Sequence, residues 1–306
     1  MNSWMNDIFL EYKSVKRQNR AFGVISKYIK SPEELFLPLC KMGEEDLSVV
    51  WQFWEWPANR EVAGTKLVSF CLDSVEKYIW DGFERKLLSL ESSEEYVRFP
   101  DYVYDKLREG KFGFGMAAFS DLLRLALLCR YGGIWVDSTI LALRPLQETY
   151  LFNRDEVGFS FGRSDQESRQ VRREWRRYGP YFSWSRFSRV KWLSSLIVSG
   201  KNRELLREIL RVLLLIWKYE QKYPHYFTIQ IVYDYFVCRQ GRDGFLFESD
   251  VPVHYMQKYA NVGYDENFFA ELRDKYPLQK LSWKMDISSL SGDSLLRRVM
   301  KKNGFA

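Results

Sequence analysis

The stretch "FSDLLRLALLCRYGGIWVDSTILALRPL" occupies residues 119–146. In it Leu122, Leu125, Ala126 and Cys129 recur at helical spacing, and Gly132 supplies the stop expected where a helix ends on a left-handed residue. The run "IWVDSTILAL" then reads as one strand with Asp137 near its middle. A carboxylate in an apolar run is seldom buried without a partner, a cation or a chemical role. Asp137 is therefore a candidate functional residue.

Upstream, "LSVVWQFWEW" (47–56) reads as a buried first strand ending at Pro57, followed by a helix over 61–80. A short strand at 85–90 and a helix between Pro100 and Gly110 lead back to the opening stretch. Strand and helix alternate from 47 to 143, which predicts βαβ units and an α/β fold with a mostly parallel central sheet flanked by helices. Residues 4–30 show amphipathic helical spacing, and "SPEEL" at 31 restarts a helix with Ser31 as N-cap. The expected organisation is a helical extension over 1–44 and one domain over 45–306. Downstream, "EVGFSF" (156–161) reads as a strand, and 201–223 and the segment after Pro224 as helices. The last 70 residues read as loops and short elements.

The chain has 306 residues, 46% of them hydrophobic and 17% aromatic, enough for a large core, so disorder is excluded. Residues 1–30 mix acids and bases without an apolar core, so no signal peptide is expected, and no apolar run approaches the roughly 20 residues that span a bilayer. Four scattered cysteines imply neither a zinc site nor a disulfide framework, and a cytoplasmic location is the simplest expectation. The net charge of +6 is concentrated in "RSDQESRQVRREWRRYGPYFSWSRFSRVKW" (163–192), where nine Arg or Lys lie among seven aromatic residues. Such a segment fits a phosphorylated substrate, an anionic membrane surface or nucleic acid, or is simply a solvated helix face. No nucleic-acid-binding motif accompanies it.

Taken singly, Asp121 serves equally well as a helix cap, Arg124 as its i+3 partner, and Gly132 with Gly133 as a turn. In combination, S-D-x-x-R, a helix, Y-G-G-I-W-V-D-x-T, the upstream "VVWQFWEWPAN" and the downstream "LQKLSWKMD" resemble the DxD glycosyltransferases of the capsular polysaccharide synthesis and glycosyltransferase 32 sugar-binding groups. The resemblance spans about residues 47–285. It implies a GT-A type fold with a Rossmann-like sheet, and a retaining enzyme that moves a hexose from a nucleotide-diphospho-sugar to a glycan or lipid-linked oligosaccharide in surface polysaccharide synthesis.

By the same resemblance Ser120, Asp121, Arg124 and Gly133 match the donor-sugar region, Trp54 with Gln52 nearby the base site, and Lys280, Ser282 and Trp283 the segment that covers the diphosphate. Asp137 matches a carboxylate that helps hold a divalent cation, Mn or Mg, at the leaving diphosphate. Thr139 stands where a second carboxylate is usual, so direct ligation is open. His254, Asn261, Asp265 and Ser282 are candidate further ligands, and the alternatives are that Asp137 binds ribose or that the site is metal-free with Lys280 and arginines neutralising the phosphates. Asp234 is the candidate for stabilising the cationic sugar carbon, and His225, Arg173 and Arg176 are candidates for the acceptor side. A polyprenyl-diphosphate-linked acceptor would give segment 163–192 a use, as would peripheral contact with an anionic membrane. A binding module built on that segment, or a catalytically silent relative, are the competing readings.

Overall fold

The computed structural model describes residues 3–33, 48–57, 64–145, 158–179, 181–201 and 203–305. Helix α1 (Ser3–Ile29) sets Ala21, Ile25 and Ile29 into the main core. The fully buried β1 (Val49–Phe53) pairs in parallel with β2 (Glu84–Leu88), the two joined across α2 (Thr65–Lys77). Short α3 (Leu90–Ser93) and α4 (Asp101–Glu109), closed by left-handed Gly110, lead to α5 (Met116–Tyr131). There follow β3 (Gly133–Val136), β4 (Ile140–Ala142), β5 (Phe159–Gly162), α6 (Arg169–Tyr178), β6 (Trp192–Ser199), α7 (Glu204–Tyr219) and α8 (Thr228–Asp234), which runs on as a π-turn to Arg239. The chain closes with β7 (Leu246–Ser249), α9 (Asp250–Val253), α10 (Tyr255–Lys258), α11 (Glu266–Lys275), β8 (Leu278–Lys280) and α12 (Leu295–Lys302).

The six-stranded sheet has the order β2-β1-β3-β6-β5-β7. Only β6 runs against its neighbours, so five strands share one direction and the expected mostly parallel sheet is what forms. Helices α5 and α7 pack together in the main core. On α7 the side chains of Leu206, Ile209, Leu213 and Ile216 are fully buried, and each such burial contributes roughly 1.5–3 kcal/mol. The turn from α5 into β3 needs both glycines. Gly133 has φ 96°, and a Cβ there would lie 2.5 Å from the Val49 carbonyl oxygen, because β3 enters the sheet tight against β1.

Three readings are corrected. "IWVDSTILAL" is two strands, not one: β3 stays in the main sheet, the chain turns at Ser138–Thr139, and β4 pairs antiparallel with β8 in a separate two-stranded sheet. Asp137 thus sits at a strand end, its N–H donating to the Ser195 carbonyl (2.8 Å). The C-terminal part holds regular helices, α11 and α12, whose buried faces form a satellite core with α2 and β4. The basic aromatic segment is not one exposed face, since Arg163, Trp175, Arg189 and Trp192 are buried. The helix expected after Ser31 and the boundary near residue 44 lie outside the described residues.

Candidate active site

Parallel strands β1 and β3 end on the same edge of the sheet, where ligands of such folds bind. A cavity of about 1010 Å³ opens there, bounded by the end of β1, the first turns of α2 and α5, the Asp137 turn, β6, the chain after α6, the start of α8 and the chain after β8. Trp54, Ser120, Asp121, Arg124, Asp137, Thr139, Lys280, Ser282 and Trp283 all line it. These residues are scattered from 54 to 283 in sequence, and the topology brings them together.

Arg124 is the hub. Its Nη1 donates to the Ser194 carbonyl (2.7 Å) and hydroxyl (3.0 Å), and its Nε and Nη2 to the carbonyl (3.1 Å) and hydroxyl (3.0 Å) of Ser120. Nη2 also lies 3.3 Å from Asp121 Oδ1 and 3.4 Å from Asp137 Oδ1. With its donors engaged and only 5% of the residue exposed, Arg124 holds the two carboxylates at the cavity wall. Trp135, two residues before Asp137, donates its indole N–H to Asp137 Oδ1 (2.8 Å).

The far motif joins through strand register. Ile140 pairs with Lys280, and Leu281 N–H donates to the Thr139 carbonyl (2.9 Å). Lys280 Nζ therefore donates to Thr139 Oγ1 and to the Leu281 carbonyl (3.0 Å), and stands 3.8 Å from Asp137 Oδ2. Gly64 lets the following segment approach. It has φ 91°, and a Cβ would lie 1.8 Å from the Trp283 carbonyl oxygen.

Charge follows this geometry. Burial alone pushes the Asp137 carboxyl up, but Arg124 and Lys280 outweigh it and hold it below its ordinary value. Asp121 has less compensation: burial, opposed by Arg124 and reinforced by Asp137, pushes it up to about 7. Burial draws the Lys280 ammonium down, against the pull of Asp137. His254 also faces the cavity; burial lowers it to about 4, and its Nδ1 hydrogen-bonds the Asp250 carbonyl (2.7 Å). It is neutral at pH 7.

Both oxygens of Asp137 face cations or a donor N–H, and no three His, Cys, Asp or Glu side chains among the described residues come together as a metal site. Asn261 Oδ1 accepts from Ser291 N–H and Asp265 Oδ1 from Phe268 N–H, outside the cavity lining. The donor set does not fit a resident divalent cation, because hard cations take several oxygen ligands, and of the acids that line the cavity Asp121 and Asp137 are already paired with Arg124, Asp137 also has the Lys280 ammonium beside it, and Glu55 accepts from Leu90 N–H.

Other expected residues stand elsewhere. Gln52 is buried in β1, its Oε1 accepting from Arg85 (2.7 Å), and Gly133 is at the opposite end of β3 from Asp137. Asp234 is outside the cavity lining, 3.0 Å from Arg189. His225 Nδ1 accepts from Phe227 N–H (3.0 Å), and burial and the charge of Arg17 lower its pKa. Arg173 is exposed on α6, and Arg176 pairs with Glu11 (3.2 Å). None of these six lines the cavity. Sequence reading missed Trp135, Ser194, Gln230 and Gly64. Only Trp135 carried a signal, since a strand's period of two sets it on the same face as Asp137.

A family model described as capsular polysaccharide synthesis protein matches residues 6–299. Among solved structures the chain is similar to one described as PaToxG Glycosyltransferase, with 13% identity and a TM-score of 0.40 over 77% of this chain and 80% of that one. No curated protein matches.

Proposed function

The chain belongs to the capsular polysaccharide synthesis family, and from that premise we propose that it is a glycosyltransferase whose cavity takes a nucleotide-diphospho-sugar and passes its hexose to a glycan or lipid-linked oligosaccharide. The observation that carries this reading is the union of Asp121, Arg124, Asp137 and Lys280 at the carboxyl edge of a mostly parallel sheet. Carboxylates fixed by a shared arginine suit sugar hydroxyls, which donate to them. The Lys280 ammonium suits the diphosphate, and the first turn of α5, which opens on the cavity without a side-chain cap, also favours negative charge. Trp54 lines the cavity with its indole N–H buried and unpartnered, a donor for the nucleotide end.

In the reaction the acceptor hydroxyl oxygen bonds to the anomeric carbon as the bond from that carbon to the diphosphate oxygen breaks. The hydroxyl proton passes to the leaving phosphate, and Lys280 meets the charge that develops there. Retention is the stereochemistry we propose. In its support, Asp121 and Asp137 are both held by the Arg124 guanidinium, on one side of the cavity and not facing each other across it. A polyprenyl-diphosphate-linked acceptor and peripheral contact with an anionic membrane belong to the same proposal. In support, α1 exposes Phe9, Leu10 and Tyr12 among Lys13, Lys16 and Arg17, an apolar and basic surface. No helix among the described residues is long and apolar enough to cross a membrane.

The test is incubation with a panel of uridine, guanosine and cytidine diphospho- or monophospho-sugars, reading release of the nucleotide and the anomeric configuration of the product. Turnover of a diphospho-sugar with retention is expected. Turnover of none, or inversion, contradicts the proposal.

A further inference from the structure

We propose that the aromatic end of the cavity is the acceptor subsite and that it holds the pyranose ring of a glycan; this rests on the transferase reading above. Five rings follow one another along that wall. Tyr178 meets Phe182 (centroids 5.8 Å), Phe182 meets Tyr181 (4.9 Å), Tyr181 meets Phe227 (5.6 Å) and Phe227 meets Tyr226 (4.9 Å). All five line the cavity. The two ends of the arc reach solvent, Tyr178 at 37% and Tyr226 at 72% exposure, while Phe182 in its middle is buried. A pyranose presents C–H bonds on one face, and these pack against the electron-rich face of an aromatic ring, leaving the hydroxyls at the sugar's rim to hydrogen-bond.

Gln230 supplies a partner for such a hydroxyl. It is 7% exposed and lines the cavity; its Nε2 donates to Ser194 Oγ (3.1 Å), and its Oε1 is buried with no hydrogen-bond partner. An unmet buried acceptor is costly unless a ligand donates to it. Ser194 Oγ is also bonded by Arg124, so Gln230 connects the aromatic end to the carboxylate cluster.

The arc is braced from behind. Tyr181 donates its hydroxyl to Asp250 Oδ2 (2.9 Å), and Arg163 grips the same carboxylate with two bonds (3.0 and 2.9 Å) in a pair that is fully buried. The Arg163 guanidinium lies over the rings of Tyr181 and Phe182 at 4.7 and 4.5 Å. Rings fixed in this way give a preformed surface, which lowers the entropy lost on binding.

A nucleotide base is the competing occupant, since bases also stack on rings. Sheet order argues against it. Trp54 leaves β1, whereas Arg163 and Asp250 brace the arc from the ends of β5 and β7, with β3 and β6 between. Donor base and acceptor sugar then lie on opposite sides of Asp137, as a transfer from one to the other requires.

The experiment measures binding of methyl glucosides, galactosides, mannosides and N-acetylglucosaminides by saturation-transfer NMR, with uridine or guanosine diphosphate present, and nucleotide-sugar binding by calorimetry. Wild type, Tyr226→Ala and Gln230→Leu are compared. At least one glycoside is expected to bind wild type, and about tenfold more weakly to Tyr226→Ala, with nucleotide-sugar affinity changed far less. Gln230→Leu should weaken the same glycoside. If no glycoside binds although a nucleotide-sugar does, or if Tyr226→Ala weakens the nucleotide as much as the glycoside, the subsite is overturned. If glycosides bind as expected but no nucleotide-sugar does, the subsite stands and the donor reading fails.

Discussion

Lys280 Nζ stands 3.8 Å from Asp137 Oδ2 and donates to Thr139 Oγ1. Asp137 thus has a positive charge of the chain itself beside it. Lys280→Met is expected to weaken nucleotide-diphospho-sugar binding by about 10²-fold, the loss of a buried charge pair. Turnover of wild type should persist in excess chelator. Loss of turnover on chelation, restored by Mn, would contradict this account.

Thr139→Asp sharpens the same point. A second carboxylate beside Lys280 would neutralise its charge and place a like charge against the diphosphate, so donor binding should weaken by about tenfold or more. If the variant binds donor more tightly than wild type when Mn is added, the site is a cation site after all.

Asp121 links the site to stability. Its folded carboxyl titrates at about 7, while in the unfolded chain it titrates near 4. Between those values the folded state binds more protons, so this residue's contribution to stability falls as pH rises from about 4 to about 7. His254, lowered to about 4, acts in the opposite sense, its contribution being lost as pH falls from about 6.5 to about 4. Thermal unfolding of wild type and Asp121→Asn subtracts the histidine. Wild type should lose melting temperature relative to the variant between pH 5 and 8, and parallel curves would refute the assignment.

The buried Arg163–Asp250 pair gives a stability test away from the reaction. Arg163→Met leaves an unpaired buried carboxylate and should cost about 3–5 kcal/mol in chemical denaturation, whereas Arg163→Met with Asp250→Leu should recover most of it. Equal losses in both would show that packing, not charge, governs the position.

How much the sequence disclosed varies along the chain for physical reasons. Helix α5 and the Gly132–Gly133 turn were legible because helical spacing and glycine punctuation are local. The break at Asp137 was not, since an apolar run looks the same whether β4 continues the sheet or leaves it, and β8, its partner, lies far along the chain. Asp137, Lys280 and Trp54 were legible as motif residues. Gln230 was not, because an unmet acceptor is defined by what surrounds it. Arg163 and Arg189 lie in a segment that reads either as anion-binding or as a solvated helix face, and neither reading shows that their partners Asp250 and Asp234, distant in sequence, turn both inward.

The cluster held by Arg124 is expected to bind a nucleotide-diphospho-sugar. Calorimetric titration of wild type and Arg124→Ala with the nucleotide-sugar panel, in chelator, tests it most directly. One diphospho-sugar should bind wild type, and its affinity for Arg124→Ala should fall by at least about tenfold as Asp121 and Asp137 lose their shared partner. Binding of none, or equal binding to both proteins, would contradict it.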